Sequence, residues 1–206
     1  MKSTVFVKAA AFLLLFGGLT AGASAQIIIS GGFALSQLDT SGSDLDYFGG
    51  GLGYGGNIYA DYILPINIPL SLGVEAGGDT AKLDAAYNDT ILAVPVLARV
   101  AYHFDIMPKL DLYVVGKIGI CFVLWQGEQL DWLKDTQGYT VKTPPGLGFG
   151  FDVGVAYYFT STLGAFAEAG FDRYNFSTTI SGNGEPARKL KSPFNRFLTV
   201  GISVRF

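Results

Sequence analysis

The chain has 206 residues, 28 of them glycine, with 50% apolar, 14% aromatic and only 15% charged residues and a formal net charge of −3. Average proteins carry about 7% glycine and about 25% charged residues, so this composition is the reverse of a disordered chain, and its acidic balance argues against nucleic-acid binding. A single cysteine, Cys121, and a single histidine, His103, exclude an internal disulfide and any Cys- or His-rich metal site, so neither a metal nor a cofactor is expected.

Mean hydropathy is +0.36, which points toward a membrane, yet the one apolar run suggestive of a helical span lies at the extreme N-terminus. There, Lys2 and Lys8 precede the apolar stretch Ala9 to Leu15, a Gly17-Gly18 break and the small-residue site Ala23-Ser24-Ala25. This is the pattern of a secretory signal peptide, and cleavage is expected after Ala25, dividing the chain into a signal peptide (1–25) and one domain (26–206).

From Gln26 onward the apolar period is two, the mark of strands with unlike faces. Eight such segments follow, near 27–36, 50–64, 69–78, 90–104, 110–123, 146–159, 162–172 and 194–206. In the second, Leu52, Tyr54, Ile58, Ala60 and Tyr62 alternate with Gly53, Gly55, Asn57, Tyr59 and Asp61. In the sixth, Phe149, Phe151, Val153, Val155 and Tyr157 alternate with Gly148, Gly150, Asp152, Gly154 and Ala156. Connections alternate in length: short at 65–68, 105–109 and 160–161, long at 37–49, 79–89, 124–145 and 173–193. That asymmetry is the one found in transmembrane barrels, with tight turns at one end and longer loops at the other.

The less apolar face is mostly Gly, Ala and Ser with isolated charges. A water-facing exterior would be crowded with Lys, Glu and Thr, whereas small residues suit the lumen of an eight-stranded barrel. The apolar face therefore looks outward to lipid, and the predicted fold is all-β: an eight-stranded antiparallel up-and-down transmembrane β-barrel. Outward aromatics Tyr62, Tyr102, Phe104, Tyr157, Phe159 and Phe206 end the four strands that run to the short-turn side, forming an interfacial girdle. Two residues depart from the pattern. Arg196 falls on the outward face and is expected at the rim; Pro95, within a strand, is expected to mark a bulge near the outer rim.

The last strand ends Thr199-Val200-Gly201-Ile202-Ser203-Val204-Arg205-Phe206. Thr199, Gly201, Val204 and Phe206 match the C-terminal assembly signal of outer-membrane β-barrels. Together with the signal peptide and the eight-strand layout, the chain resembles the small outer-membrane barrel group that includes the OmpX, OmpA-transmembrane and OmpW types. The resemblance implies insertion by the barrel assembly machinery, a monomer surrounded by outer-membrane lipid and lipopolysaccharide, and periplasmic N- and C-termini.

Counted from the short-turn ends, the inward charges Glu75, Arg99, Lys117, Asp152 and Glu168 fall five to seven residues deep on five consecutive strands. They are expected to form a ring of alternating sign, with Asp61, Asp111, His103 and Arg205 as a second group nearer the mouth. Buried charges need partners, so this network is read as filling the lumen; the alternative is a narrow channel for small or hydrophobic solutes lined by the same groups. His103 points inward near the periplasmic end, and no Ser/His/acid cluster marks the external rim, so no catalytic residue is assigned. In the loops, Trp125, Trp132 and Tyr139 either contact hydrophobic molecules or pack over the mouth. Arg188, Lys189 and Lys191 form a basic run suited to lipopolysaccharide phosphates. Cys121 is read as a lumen packing residue. The expected role is structural or surface-exposed, with adhesion through the loops as a further alternative.

Overall fold

The computed structural model describes residues 26–39, 50–84, 89–136, 138–182, 184–191 and 193–206; the expected signal peptide lies outside them. Eleven strands are present: β1 (Gln26–Leu38), β2 (Leu52–Ile63), β3 (Leu70–Asp84), β4 (Asp89–Met107), β5 (Leu110–Gln126), β6 (Thr140–Lys142), β7 (Gly146–Tyr158), β8 (Leu163–Asn175), β9 (Ser177–Gly182), β10 (Glu185–Lys191) and β11 (Phe194–Arg205). Eight of them close an antiparallel barrel in the order β1-β11-β8-β7-β5-β4-β3-β2. The seam is sealed by reciprocal backbone bonds between Ile27 and Phe206, at 2.9 and 3.2 Å.

The alternating pattern decides which face each residue takes. Outward positions such as Ile58, Val96, Val100, Ile118, Ile120, Phe151, Val153 and Ile202 are exposed, while their neighbours along each strand are buried inside. At the short-turn end Tyr102 and Phe104 meet edge to face with centroids 5.0 Å apart, and Tyr157 and Phe159 do so at 5.7 Å, a geometry favoured by aromatic quadrupoles. The turns there are tight. Leu64 N–H donates to the Leu70 carbonyl at 2.9 Å, and the Thr160 hydroxyl oxygen accepts from the Leu163 N–H at 2.8 Å, a side chain replacing a backbone turn bond.

The structure departs from the expected pattern in four places. β3, β4 and β5 run 15, 19 and 17 residues, well beyond the roughly 9 to 11 needed to cross a bilayer, so most of 79–89 is strand rather than loop. The two other long connections with described structure are folded: 124–145 carries a four-residue helix α1 (Glu128–Asp131), a π-helical turn (Trp132–Thr136) and β6, and 173–193 carries the β9–β10 hairpin. These combine into a small sheet in the order β10-β9-β6. Pro95 makes no bulge. It pairs with Cys121 in unbroken register, and toward β3 the register is the same on both sides of it while pairing lapses between Ala76 and Asp79. A residue with no N–H is accommodated by omitting ladder bonds rather than by inserting a residue. Finally, Arg196 faces the lumen and is 2% exposed. The register of β11 shifts against β1 between Leu35 and Ser36 and against β8 between Arg196 and Leu198. That irregularity leaves both Phe197 and Leu198 facing out and turns Arg196 in, where it meets Glu75 and Asp79.

Candidate functional site: the charged lumen

Glycines make room for the ionic groups. On β7, a Cβ at Gly150 would collide with the Asp172 carboxylate and one at Gly154 with the Tyr113 ring. These strand glycines serve the close approach of large side chains across a narrow interior.

Three cations occupy the middle of the lumen. Arg99 on β4 reaches Glu75 at 2.6 Å, Glu168 at 2.7 Å and Asp61 at 3.2 Å, with its guanidinium 3.7 Å above the Tyr59 ring. Lys117 on β5 contacts Asp172 at 2.9 Å, Glu168 at 3.2 Å and Glu75 at 3.3 Å, and also pairs with Asp152. Arg196 on β11 contacts Asp79 at 2.6 Å and pairs with the second Glu75 oxygen. Asn57 donates to Glu75 at 2.9 Å and Tyr113 to Glu168 at 3.0 Å. Every ionic member is at most 4% exposed, so each carboxylate depends on these donors rather than on water. Three cations thus meet six carboxylates, Asp61, Glu75, Asp79, Asp152, Glu168 and Asp172.

The structure brings Glu75, Arg99, Lys117, Asp152 and Glu168 together and adds Asp61 to them through Arg99. The remaining members of the expected second group do not join. His103 Nδ1 lies 2.9 Å from Asp111, and its Nε2 lies 2.9 Å from the Ser71 hydroxyl, forming a separate chain across β3, β4 and β5. Arg205 forms no ion pair among the described residues and lies instead with its guanidinium 4.0 Å over the Tyr158 ring; its position at the very end of β11 carries it out of reach of the deeper carboxylates. Asp79, Asp172 and Arg196 complete the network and were not anticipated. Asp79 and Asp172 continue the inward parity of Glu75 and Glu168, so the signal was present; Arg196 had none, because the irregularity that turns it inward leaves no mark in the apolar period.

The Ser71-His103-Asp111 chain has the connectivity of an activated serine. Ser71 is wholly buried, however, and the void beside His103 and Asp111 measures about 10 Å³, the space of one water. Ser71 does not border that void.

Two apolar layers bracket the charges. Toward the long loops, Leu38, Ile91, Trp125, Leu130, Phe176, Ile180 and Phe194 are buried together, with Leu133, Tyr139 and Val141 packed against them. Trp125 belongs to β5 and donates to Asp89 at 2.8 Å; it packs over the mouth, as does Tyr139, whereas Trp132 is 51% exposed. Cys121 is buried in this layer. Toward the short turns, Tyr59, Tyr113, Tyr158 and Phe166 form the second layer. Beyond the barrel, Lys189 and Lys191 are exposed on β10, and Arg188 pairs through its backbone with Ile180. On β11, Thr199 faces the lumen, Gly201 backs closely onto Gly31 and Gly32, Val204 pairs with Ile29, and Phe206 is 67% exposed.

No protein-family model matches the sequence, and no curated protein matches it. Solved structures do. The outer membrane protein OprG from Pseudomonas aeruginosa is 13% identical, with a TM-score of 0.60 over 90% of this chain and 98% of that one. Neisserial surface protein A is 17% identical, with a TM-score of 0.56 over 89% and 99%. The Escherichia coli outer membrane protein W is 18% identical, with a TM-score of 0.52 over 91% and 100%. With its closed ring of eight antiparallel strands, apolar outside and ionic inside, the chain has the fold of the small eight-stranded barrels of the bacterial outer membrane.

Proposed function

We propose that the protein is a closed, non-catalytic barrel of the outer membrane with a structural and surface-exposed role. The observation that carries this reading is the filled interior: the Arg99, Lys117 and Arg196 network crosses the lumen, and the Trp125-Leu130-Ile180 layer covers it on the loop side. Solutes meet an ionic plug and an apolar plug in series. The short turns and both termini face the periplasm and the long loops face outward, following the turn-length asymmetry of such barrels. A single copy suffices, since β1 and β11 close on each other. Assembly machinery engages Thr199, Gly201, Val204 and Phe206 of the last strand, and the basic run of β10 contacts lipopolysaccharide.

Recording from planar bilayers containing the refolded chain tests the main claim. Silence is expected. Unitary conductance that changes in Arg99→Ala or Lys117→Ala would establish the narrow channel instead.

A further inference from the structure

At the short-turn mouth, the β4–β5 turn and the ends of β7 and β11 frame a cleft of about 310 Å³ lined by Met107, Lys109, Leu110, Asp111, Tyr158 and Arg205. That volume is at the lower end of small-molecule sites. Its polar groups are unequally satisfied. Asp111 is engaged by His103 Nδ1 through both carboxylate oxygens, at 2.9 and 3.1 Å. Arg205 and Lys109 make no ion pair among the described residues, although the protein is acidic overall. The Arg205 guanidinium carbon lies over the Tyr158 ring, 4.0 Å from its centroid. The Tyr158 hydroxyl contacts the Ser203 hydroxyl at 3.3 Å, and the Tyr158 backbone N–H donates to the Lys109 carbonyl at 2.9 Å. Tyr158 thus touches both sides of the cleft, the turn bearing Lys109 through its backbone and Arg205 through its ring.

We propose that this cleft binds a phosphate group. A guanidinium seated over an aromatic ring is restrained, and its planar fork of donors matches two oxygens of a tetrahedral oxyanion. The Lys109 ammonium supplies a point charge for a third. The remaining space, walled by Met107 and Leu110, accommodates the substituent of a phosphate ester. Two sources share this chemistry, a phospholipid headgroup and a soluble phosphate compound. The aromatic girdle at the same end, with Tyr157, Phe159 and Phe206 exposed, sets the cleft at the depth of headgroups.

The test is an amide and arginine side-chain NMR titration of the full barrel, in zwitterionic detergent, with inorganic phosphate. Saturable shifts confined to Lys109, Leu110, Asp111, Tyr158 and Arg205 are expected. Arg205→Gln should weaken the apparent affinity about tenfold or more, the loss of a charge-assisted bond, and Arg205→Lys should restore only part. Lys109→Gln, in an exposed turn, should weaken it by a smaller factor and serves should the Arg205 variants fail to fold. Shifts that do not saturate, or an affinity unchanged in both variants, overturn the site. Repeating the titration in nanodiscs of phosphatidylglycerol separates the sources: competition with added phosphate upholds the site as a headgroup site, and an unchanged affinity upholds it as a site for soluble phosphates. A silent or conducting lumen leaves this result untouched.

Discussion

Lys117 illustrates how much one side chain holds in a dry lumen. Its ammonium is shared by Glu75, Asp152, Glu168 and Asp172, three of them at 2.9 to 3.3 Å. Desolvating these charges costs nearly what their attraction returns, so the intact network adds little net stability, but removing one partner strands the others. Lys117→Met, which keeps the bulk of the chain, is therefore expected to destabilise the barrel by about 3 to 5 kcal/mol, read from the urea midpoint in detergent. Adding Asp152→Asn and Asp172→Asn should recover part of the loss. A drop under about 1 kcal/mol would mean that the pairs are water-screened, as surface ion pairs are. The central residues of this network were legible in the sequence because a charge on a face of Gly, Ala and Ser has one physical meaning in a barrel. Asp79 shares the parity of Glu75 but lies past the point where the apolar pattern of β3 fades, and a charged residue beyond a fading pattern reads as loop. Depth counting places Arg205 near the mouth, where it lines one cleft with Asp111, but a count of residues does not say which partner a side chain takes, and Arg205 takes the Tyr158 ring.

At the scale of the element, period-two alternation located all eight barrel strands and, apart from the start of β11 before its irregularity, their faces, because a lipid-facing side chain leaves no choice of chemistry. It failed where that constraint ends. Beyond the bilayer both faces of a strand meet water or a neighbouring loop, so the outer parts of β3, β4 and β5 lose their contrast, and β6, β9 and β10 never show it. β9 is folded chiefly by one contact set, with Ile180 and the preceding Phe176 buried in the cap. Burial of each such side chain contributes about 1.5 to 3 kcal/mol, enough to dock a six-residue strand whose composition is otherwise Ser, Thr and Gly. The hairpin carries the basic run outward on β10, where Lys189 and Lys191 are exposed. Neutralising Arg188, Lys189 and Lys191 to Gln should reduce binding of labelled lipopolysaccharide several-fold at low salt and leave heat-modifiable migration on gels unchanged. Binding that survives the triple change removes lipopolysaccharide as the partner of this strand.

For the whole molecule, the arrangement of two plugs makes a distinct prediction about permeability. Leu130→Asp with Ile180→Asp disrupts the apolar cap and leaves the ionic layer in place, so bilayer recordings of that variant are expected to stay silent. Conductance from the cap variant alone would show that the ionic layer does not seal. The network also has a bearing on how the ring is closed. Arg196 sits on the last strand, while its partners Glu75 and Asp79 sit on β3, more than a hundred residues earlier in the chain. Until β11 docks onto β1, Asp79 lacks Arg196, and Glu75 keeps only Arg99 and Lys117. Pairing of β11 slipped by one residue would send Arg196 toward lipid and the apolar side chains of that strand into the lumen. The ion pair is thus completed only by the last strand in the correct register, so the same contact that fills the lumen acts as a proofreading step, penalising an open or misaligned seam.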